Sequence, residues 1–297
     1  MSLKFGIELE SMGLTGNEIQ AAVNAAGEEF GGLFGYRGGT DCVHRQQWRA
    51  ESDSSLSQRF CTWDTRGSHE IISPIMQGVA GRKAILRVVK KLNQAGATVD
   101  RTCGTHIHVG VGHSARWARM SEDKKQEIGS RMIEIYSHFM PVFDALSPNN
   151  RTCAGNSYVG LPRWGGRYSA VNLQAFINYG RVEFRQPGFT LNQKVIEMWL
   201  GLVDSICKSA VNENHRSYHL DVAEFPVTLP AMLEFLNVGT KVTKLATDRL
   251  EFCIERYTQG RENRIAVRGQ GVVNCICCGR DFIGMPGQNI CGNEGCE

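Results

Sequence analysis

One device recurs along this chain and narrows what it can fold into. Short apolar segments carry chemically active side chains at every second position: Glu8-Leu9-Glu10, His106-Ile107-His108 and Arg181-Val182-Glu183-Phe184-Arg185. A β-strand has a period of two, so each segment sends its polar groups to one face and its aliphatic or aromatic groups to the other. His69-Glu70-Ile71 adds a single carboxylate beside an apolar strand. Any one of these alternations could simply face water. Placed in one sheet, they would gather Glu8, Glu10, Glu70, Glu183 and one or two histidines into a single cluster.

The segments between them supply helices to cover the other face. Asn17 to Ala26 predicts a short helix closed by Gly27. Val79 to Ala95 places apolar residues at helical spacing and is followed by Gly96. Ser121 is a good N-cap, with Glu122 and Asp123 in the first turn of a long helix that Pro141 is expected to kink. Tyr168 to Ile177 and Gly180 to Gln186 read as a strand pair. Helices are expected over Asn192 to Asn214, Leu229 to Leu236 and Thr240 to Tyr257. This order favours an α+β fold with a mostly antiparallel sheet covered by helices. A boundary is expected near 262 to 270, giving a catalytic domain over 1–262 and a cysteine-rich tail over 263–297.

Several carboxylates brought together raise one another's pKa unless cations neutralise them. Oxygen-rich sets suit Mg²⁺ or Mn²⁺, and Mn²⁺ tolerates an imidazole. Arg181 and Arg185 beside such a set would suit a phosphate through planar bidentate contacts. Carboxylates, metals and arginines around a phosphate describe phosphoryl transfer. The chain has no G-x-x-x-x-G-K-[ST] and no G-x-G-x-x-G after a strand, so any ATP must be held chiefly by metals and arginines.

Six motifs then occur in one order: Phe5-Gly6-Ile7-Glu8-Leu9-Glu10, Trp48 through Asp53-Ser54-Ser55-Leu56, Glu70-Ile71-Ile72-Ser73-Pro74, Gly104-Thr105-His106-Ile107-His108-Val109, Tyr168 through Asn172-Leu173, and Val182-Glu183-Phe184-Arg185. In that order, over about residues 4 to 200, the chain resembles the amidoligase family, a branch of the glutamine synthetase and glutamate–cysteine ligase superfamily. The resemblance implies a sheet curved around an active-site funnel and ATP-dependent joining of a carboxylate to an amine through an acyl phosphate. By it, Glu8, Glu10, Glu70, His106 and Glu183 would hold two or three Mg²⁺ or Mn²⁺ ions. Arg185, joined by Arg181, would stabilise the transferring phosphoryl group. Asp53 would help take the proton from the incoming amine. Arg185 and His108 fall on the nucleotide side, with His108 expected to orient a ligand rather than to be one. The alternatives are a guanidino kinase-like phosphotransferase on the same scaffold, or a zinc-ribbon binding protein whose ligase domain is inactive.

Five of the eleven cysteines crowd into the last 23 residues. Cys275-x₂-Cys278 and Cys291-x₄-Cys296 fit a Cys₄ structural Zn²⁺ site, with Cys277 able to replace a neighbour; free thiols and an iron–sulfur centre are the competing readings. The expected partners are carboxylate and amine substrates, extending to a peptide or other macromolecule recognised through the zinc ribbon. A net charge of +3 does not point to nucleic acid, which stays compatible but not favoured, and an oligomer is equally compatible. No long apolar run suggests a membrane span, and no secretory signal is evident at the start, so a cytoplasmic location is expected. Cys103 reads as a small buried hydrophobe, and His44, His113, His138, His215 and His219 as structural or exposed. The basic run Arg82, Lys83, Arg87, Lys90, Lys91 reads as a solvated helix face.

Overall fold

The computed structural model describes residues 3–34, 46–52, 65–99, 103–112, 115–147, 162–164, 166, 168–188, 190–268, 271–274 and 281–284. Its core is an eight-stranded sheet. The strands are β1 (Lys4–Leu14), β2 (Phe30–Phe34), β3 (Trp48–Ser52), β4 (Gly67–Ile72), β5 (Met76–Gln77), β6 (Thr105–Gly110), β7 (Val171–Asn172) and β8 (Arg181–Phe184). Their order is β2-β3-β4-β1-β6-β8-β7, with β5 pairing the start of β1. All pairs are antiparallel except β2 with β3, which run parallel. The mixed α+β class with a mostly antiparallel sheet follows the alternation in the sequence.

One face of this sheet is apolar and covered. Phe5, Ile7 and Leu9 of β1, Trp48 and Ala50 of β3, Ile107 and Val109 of β6, and Val182 and Phe184 of β8 are all buried in one continuous core. Helices α1 (Gly16–Ala25), α2 (Gly78–Gln94), α4 (Glu122–His138) and α7 (Gln193–Val211) contribute their apolar stripes to it. A short α3 (Ala115–Arg119) brings in Trp117, which meets Phe176 edge to face at 5.0 Å. Helix α1 begins with a full capping box, in which Thr15 accepts from the Glu18 backbone and Glu18 from the Thr15 N–H. Gly27 follows it at φ +75, where a left-handed residue closes a helix cheaply.

Three local expectations change. The predicted kink is a full break: α4 ends at His138, and Pro141 sits in the first turn of a new helix, α5 (Met140–Leu146). Proline lacks the N–H a continuing helix needs but costs nothing in a first turn. The strand expected from Tyr168 to Ile177 shrinks to Val171–Asn172 and is followed by one helical turn, α6 (Phe176–Tyr179). Gly180 at φ +60 ends that turn. The last helices are α8 (Leu229–Phe235) and α9 (Thr240–Arg268), the latter running beyond the expected Tyr257. Strands β9 (Gly271–Asn274) and β10 (Asp281–Gly284) pair antiparallel. Cys275, Cys277, Cys278, Cys291 and Cys296 lie outside the described residues, as does Asp53. No helix among the described residues is long and apolar enough to cross a membrane.

Candidate active site

The strand register turns four separate alternations into one surface. Glu8 pairs with His106 across β1–β6, and Glu10 with Glu70 across β1–β4. His108 pairs with Glu183 across β6–β8, and Glu183 with Asn172 across β8–β7. Glu51 pairs with Glu70 across β3–β4. Residues directly opposite in antiparallel strands share a face. Glu8, Glu10, Glu70, Glu183 and both histidines therefore stand on the face opposite the core.

Their side chains converge. His106 Nδ1 lies 3.1 Å from Glu8 Oε2 and 3.6 Å from Glu183 Oε1, while His106 Nε2 is 3.7 Å from Glu10 Oε1. His108 Nε2 is 3.0 Å from Glu8 Oε1. Two triads have ligand-type atoms all within 4.8 Å of one another: Glu8–Glu70–His106 and Glu8–His108–Glu183. Glu8 belongs to both, the place a bridging carboxylate would occupy. His108, expected to orient a ligand, lies in one of these triads as His106 lies in the other.

Charge in the cluster is balanced chiefly between Glu8 and His108. Burial alone would raise the Glu8 pKa, but the positive His108 and a hydrogen bond with His106 outweigh it and hold the carboxyl well below its ordinary value. Burial likewise opposes charge on His108. The Glu8 carboxylate, helped by Glu183, overcomes that and carries its pKa to about 9. The donor set fits a hard divalent cation on one direct observation. His106 is 97% buried on its side chain, yet its Nε2 makes no hydrogen bond among the described residues. A buried imidazole nitrogen without a hydrogen bond is costly unless something else meets it, and carboxylates around it supply the charge a cation would need.

The two arginines divide. Arg185 is 13% exposed, donates from Nη1 to Glu183 and lies over the Tyr168 ring at 5.8 Å. Glu183 accepts a second hydrogen bond from Asn172 Nδ2 at 2.7 Å, so its carboxylate is fixed from both sides. Arg181 is exposed at the other end of β8, over the ring of Tyr179 at 5.1 Å. Close packing sets its place: a Cβ on Gly180 would come within 2.3 Å of Gly112 Cα.

Three residues of this face carried no role in the sequence reading: Arg49, Glu51 and Asn172. Arg49 Nε donates to Glu51 Oε1 at 2.9 Å. The signal for the first two was present, since Trp48-Arg49-Ala50-Glu51 alternates as the other strands do, and Trp48 and Ala50 are fully buried. Elsewhere, Cys103 is buried with Met12 and Val99. His138 Nε2 lies 2.8 Å from the Phe225 carbonyl. Arg82 pairs with Asp204 at 2.8 Å and Arg87 with Glu28 at 2.7 Å, so two members of the basic run have partners within the chain. His44 and His113 lie outside the described residues. Trp164, ahead of β7 in the chain, donates to Ser130 on α4 at 3.2 Å.

The sheet thus brings carboxylates, imidazoles and Arg185 together on one face, a candidate site for a cation and for an anionic group beside it. The family model described as "Putative amidoligase enzyme" matches residues 1–160, and the chain belongs to that family. Membership supports a ligase-type activity. Among solved structures the chain is similar to "Apo GmaS without ligand", with a TM-score of 0.40 and 12% identity over 88% of this chain and 70% of that one. It is also similar to "Crystal structure of novel glutamine synthase homolog", with a TM-score of 0.38 and 13% identity over 90% of this chain and 68% of that one. No curated protein matches it.

Proposed function

We propose that the protein is an ATP-dependent carboxylate–amine ligase that forms an amide or isopeptide bond through an acyl phosphate. The convergence of Glu8, Glu10, Glu70 and Glu183 with His106 and His108 on one sheet face carries this reading. Divalent ions held by those residues would offset the charge of the polyphosphate and of the phosphoryl group in transfer.

The reaction balances in two steps. A carboxylate oxygen attacks the γ-phosphorus of ATP, the bond to the β–γ bridging oxygen breaks, and ADP leaves. An amine then attacks the acyl carbon, phosphate leaves, and the amine gives up a proton. Arg185, held by Glu183 and with a buried Nε that makes no hydrogen bond among the described residues, keeps donor capacity for the oxygens of the phosphoryl group. Arg181 serves the polyphosphate from the exposed end of β8. Asp53 takes the amine proton. The Cys275, Cys278, Cys291 and Cys296 tail holds structural zinc and presents or recognises a macromolecular substrate.

The test is ADP release from Mg·ATP or Mn·ATP across a matrix of carboxylic acids and amines, with mass spectrometry for the loss of water that marks an amide. Stimulation by one acid–amine pair supports the ligase. Turnover with one substrate and a phosphorylated product sinks it in favour of a phosphotransferase.

A further inference from the structure

Beside the metal cluster, at the Lys4 end of β1, the polar face hollows into a pocket of about 200 Å³. Three cations from three strands line it: Lys4 of β1, Arg49 of β3 and Arg181 of β8. Its other wall is apolar, built from Ile72, Pro74 and Ile75, and Ile75 is 56% exposed. Glu8 and His108 close it toward the cluster. A ligand combining a flat apolar part with several negative charges matches these walls, and a nucleoside triphosphate is such a ligand.

We propose that Arg49 is a polyphosphate-binding residue of this pocket, aimed by Glu51, and that Gly6 keeps the pocket floor open. The proposal rests on the ligase reading and adds a binding residue to it. Register places Arg49 opposite Ile72, and Ile72 opposite Glu8, so Arg49 lies level with the shared carboxylate two strands away. That separation is about 10 Å, a span a polyphosphate can bridge past Ile72. The Arg49 Nε is committed to Glu51 at 2.9 Å, which fixes the plane of the guanidinium and leaves its two terminal nitrogens for a ligand. Both side chains are largely buried, at 25% and 19% exposure, so the pair is held rather than waving in solvent.

Gly6 shares the site face with Lys4 and Glu8. A Cβ there would sit 3.5 Å from Ser73 Oγ, an ordinary contact, so packing does not require glycine. A glycine inside a strand weakens it, and its use here is explained by close approach of a ligand.

The experiment is calorimetric titration of the full-length chain with ATP and with AMP in the presence of Mg²⁺, alongside a separate Mn²⁺ titration. Arg49→Gln is expected to weaken ATP binding by about tenfold or more, as loss of a charge-assisted contact does, while AMP changes by less than about twofold. Arg49→Lys should recover part of the loss, and Glu51→Gln should fall between Arg49→Gln and the parent. Gly6→Ala, which the local packing accommodates, should also weaken ATP. Unchanged ATP affinity in Arg49→Gln with Mn²⁺ binding intact overturns the proposal and leaves the ligase reading standing. Loss of Mn²⁺ binding in Arg49→Gln overturns it too, because the residue then acts on the metal cluster. A parent protein that binds Mn²⁺ but no ATP sinks both readings together. Gly6→Ala that binds ATP like the parent removes the floor assignment.

Discussion

Glu8 stands directly opposite His106 across β1 and β6, and His106 Nδ1 comes within 3.1 Å of Glu8 Oε2. That single cross-strand pair joins the two candidate metal triads, because Glu8 also meets His108 at 3.0 Å on its other oxygen.

Glu8→Gln is therefore expected to abolish Mn²⁺ binding at both triads, while Glu183→Gln should weaken the Glu8–His108–Glu183 set first. The amide keeps an acceptor for His106, so the fold should survive. Mn²⁺ titration with far-UV circular dichroism checks this; full Mn²⁺ stoichiometry in Glu8→Gln would remove the shared-carboxylate assignment.

Gly180→Ala should unfold the approach that places Arg181. A left-handed alanine costs about 1–2 kcal/mol, and its Cβ would collide with Gly112 and Trp117. Overpacking adds about 1–3 kcal/mol. Urea unfolding would measure the sum, and a loss below about 1 kcal/mol would contradict the contact.

Ile107 is fully buried between the two histidines of its strand. Ile107→Ala should cost about 2–5 kcal/mol, the range for emptying a packed aliphatic site. Because the same strand carries His106 and His108, the loss should also lower Mn²⁺ affinity. Destabilisation without any effect on Mn²⁺ would show that the strand holds its histidines independently of the core beneath.

Acid should weaken the helical side through His215. Burial first, and the nearby Lys208 second, lower its pKa below the ordinary 6.5. Its Nδ1 accepts from the Ser217 N–H at 3.3 Å, which a proton there would prevent. A group whose folded pKa is depressed binds more protons when unfolded, so its contribution is fully present above 6.5 and is lost as pH falls below that value. Thermal melts between pH 8 and about 5 should show the decline, and His215→Gln should flatten it. An identical slope in the variant would acquit this histidine.

The tail is expected to carry about one zinc per chain, since four thiolates suit a tetrahedral ion. Elemental analysis of the purified protein and of Cys278→Ser should show zinc lost in the variant and Mn²⁺ binding at the sheet retained. A zinc-free parent protein would end the zinc-ribbon reading.

Much of the strand geometry of the candidate site was legible in the sequence. Strand periodicity alone put Glu8 with Glu10, His106 with His108, and Arg181 with Glu183 and Arg185 on common faces, because that geometry is local. The helix start at Ser121 was equally readable, since its side-chain oxygen accepts from a backbone N–H three residues on. The Thr15 cap emerged only in the structure. Phe176 and Ile177 misled, since a β-branched or aromatic residue fits a strand and a buried turn alike, and packing against Trp117 decided for the turn. Arg49 and Glu51 carried the same alternation, but neither they nor Asn172 carried any chemistry until their neighbours were known.

What the sequence determined by itself was which side chains share a strand face, for that depends on residues two apart. The tertiary structure decided which strands are neighbours and in what register: Glu10 against Glu70, Glu8 against His106, His108 against Glu183. Those pairings join residues up to 98 positions apart. They are fixed by burial of the opposite face, where slipping a strand by one residue would turn its carboxylates into the core and its aliphatic side chains into water.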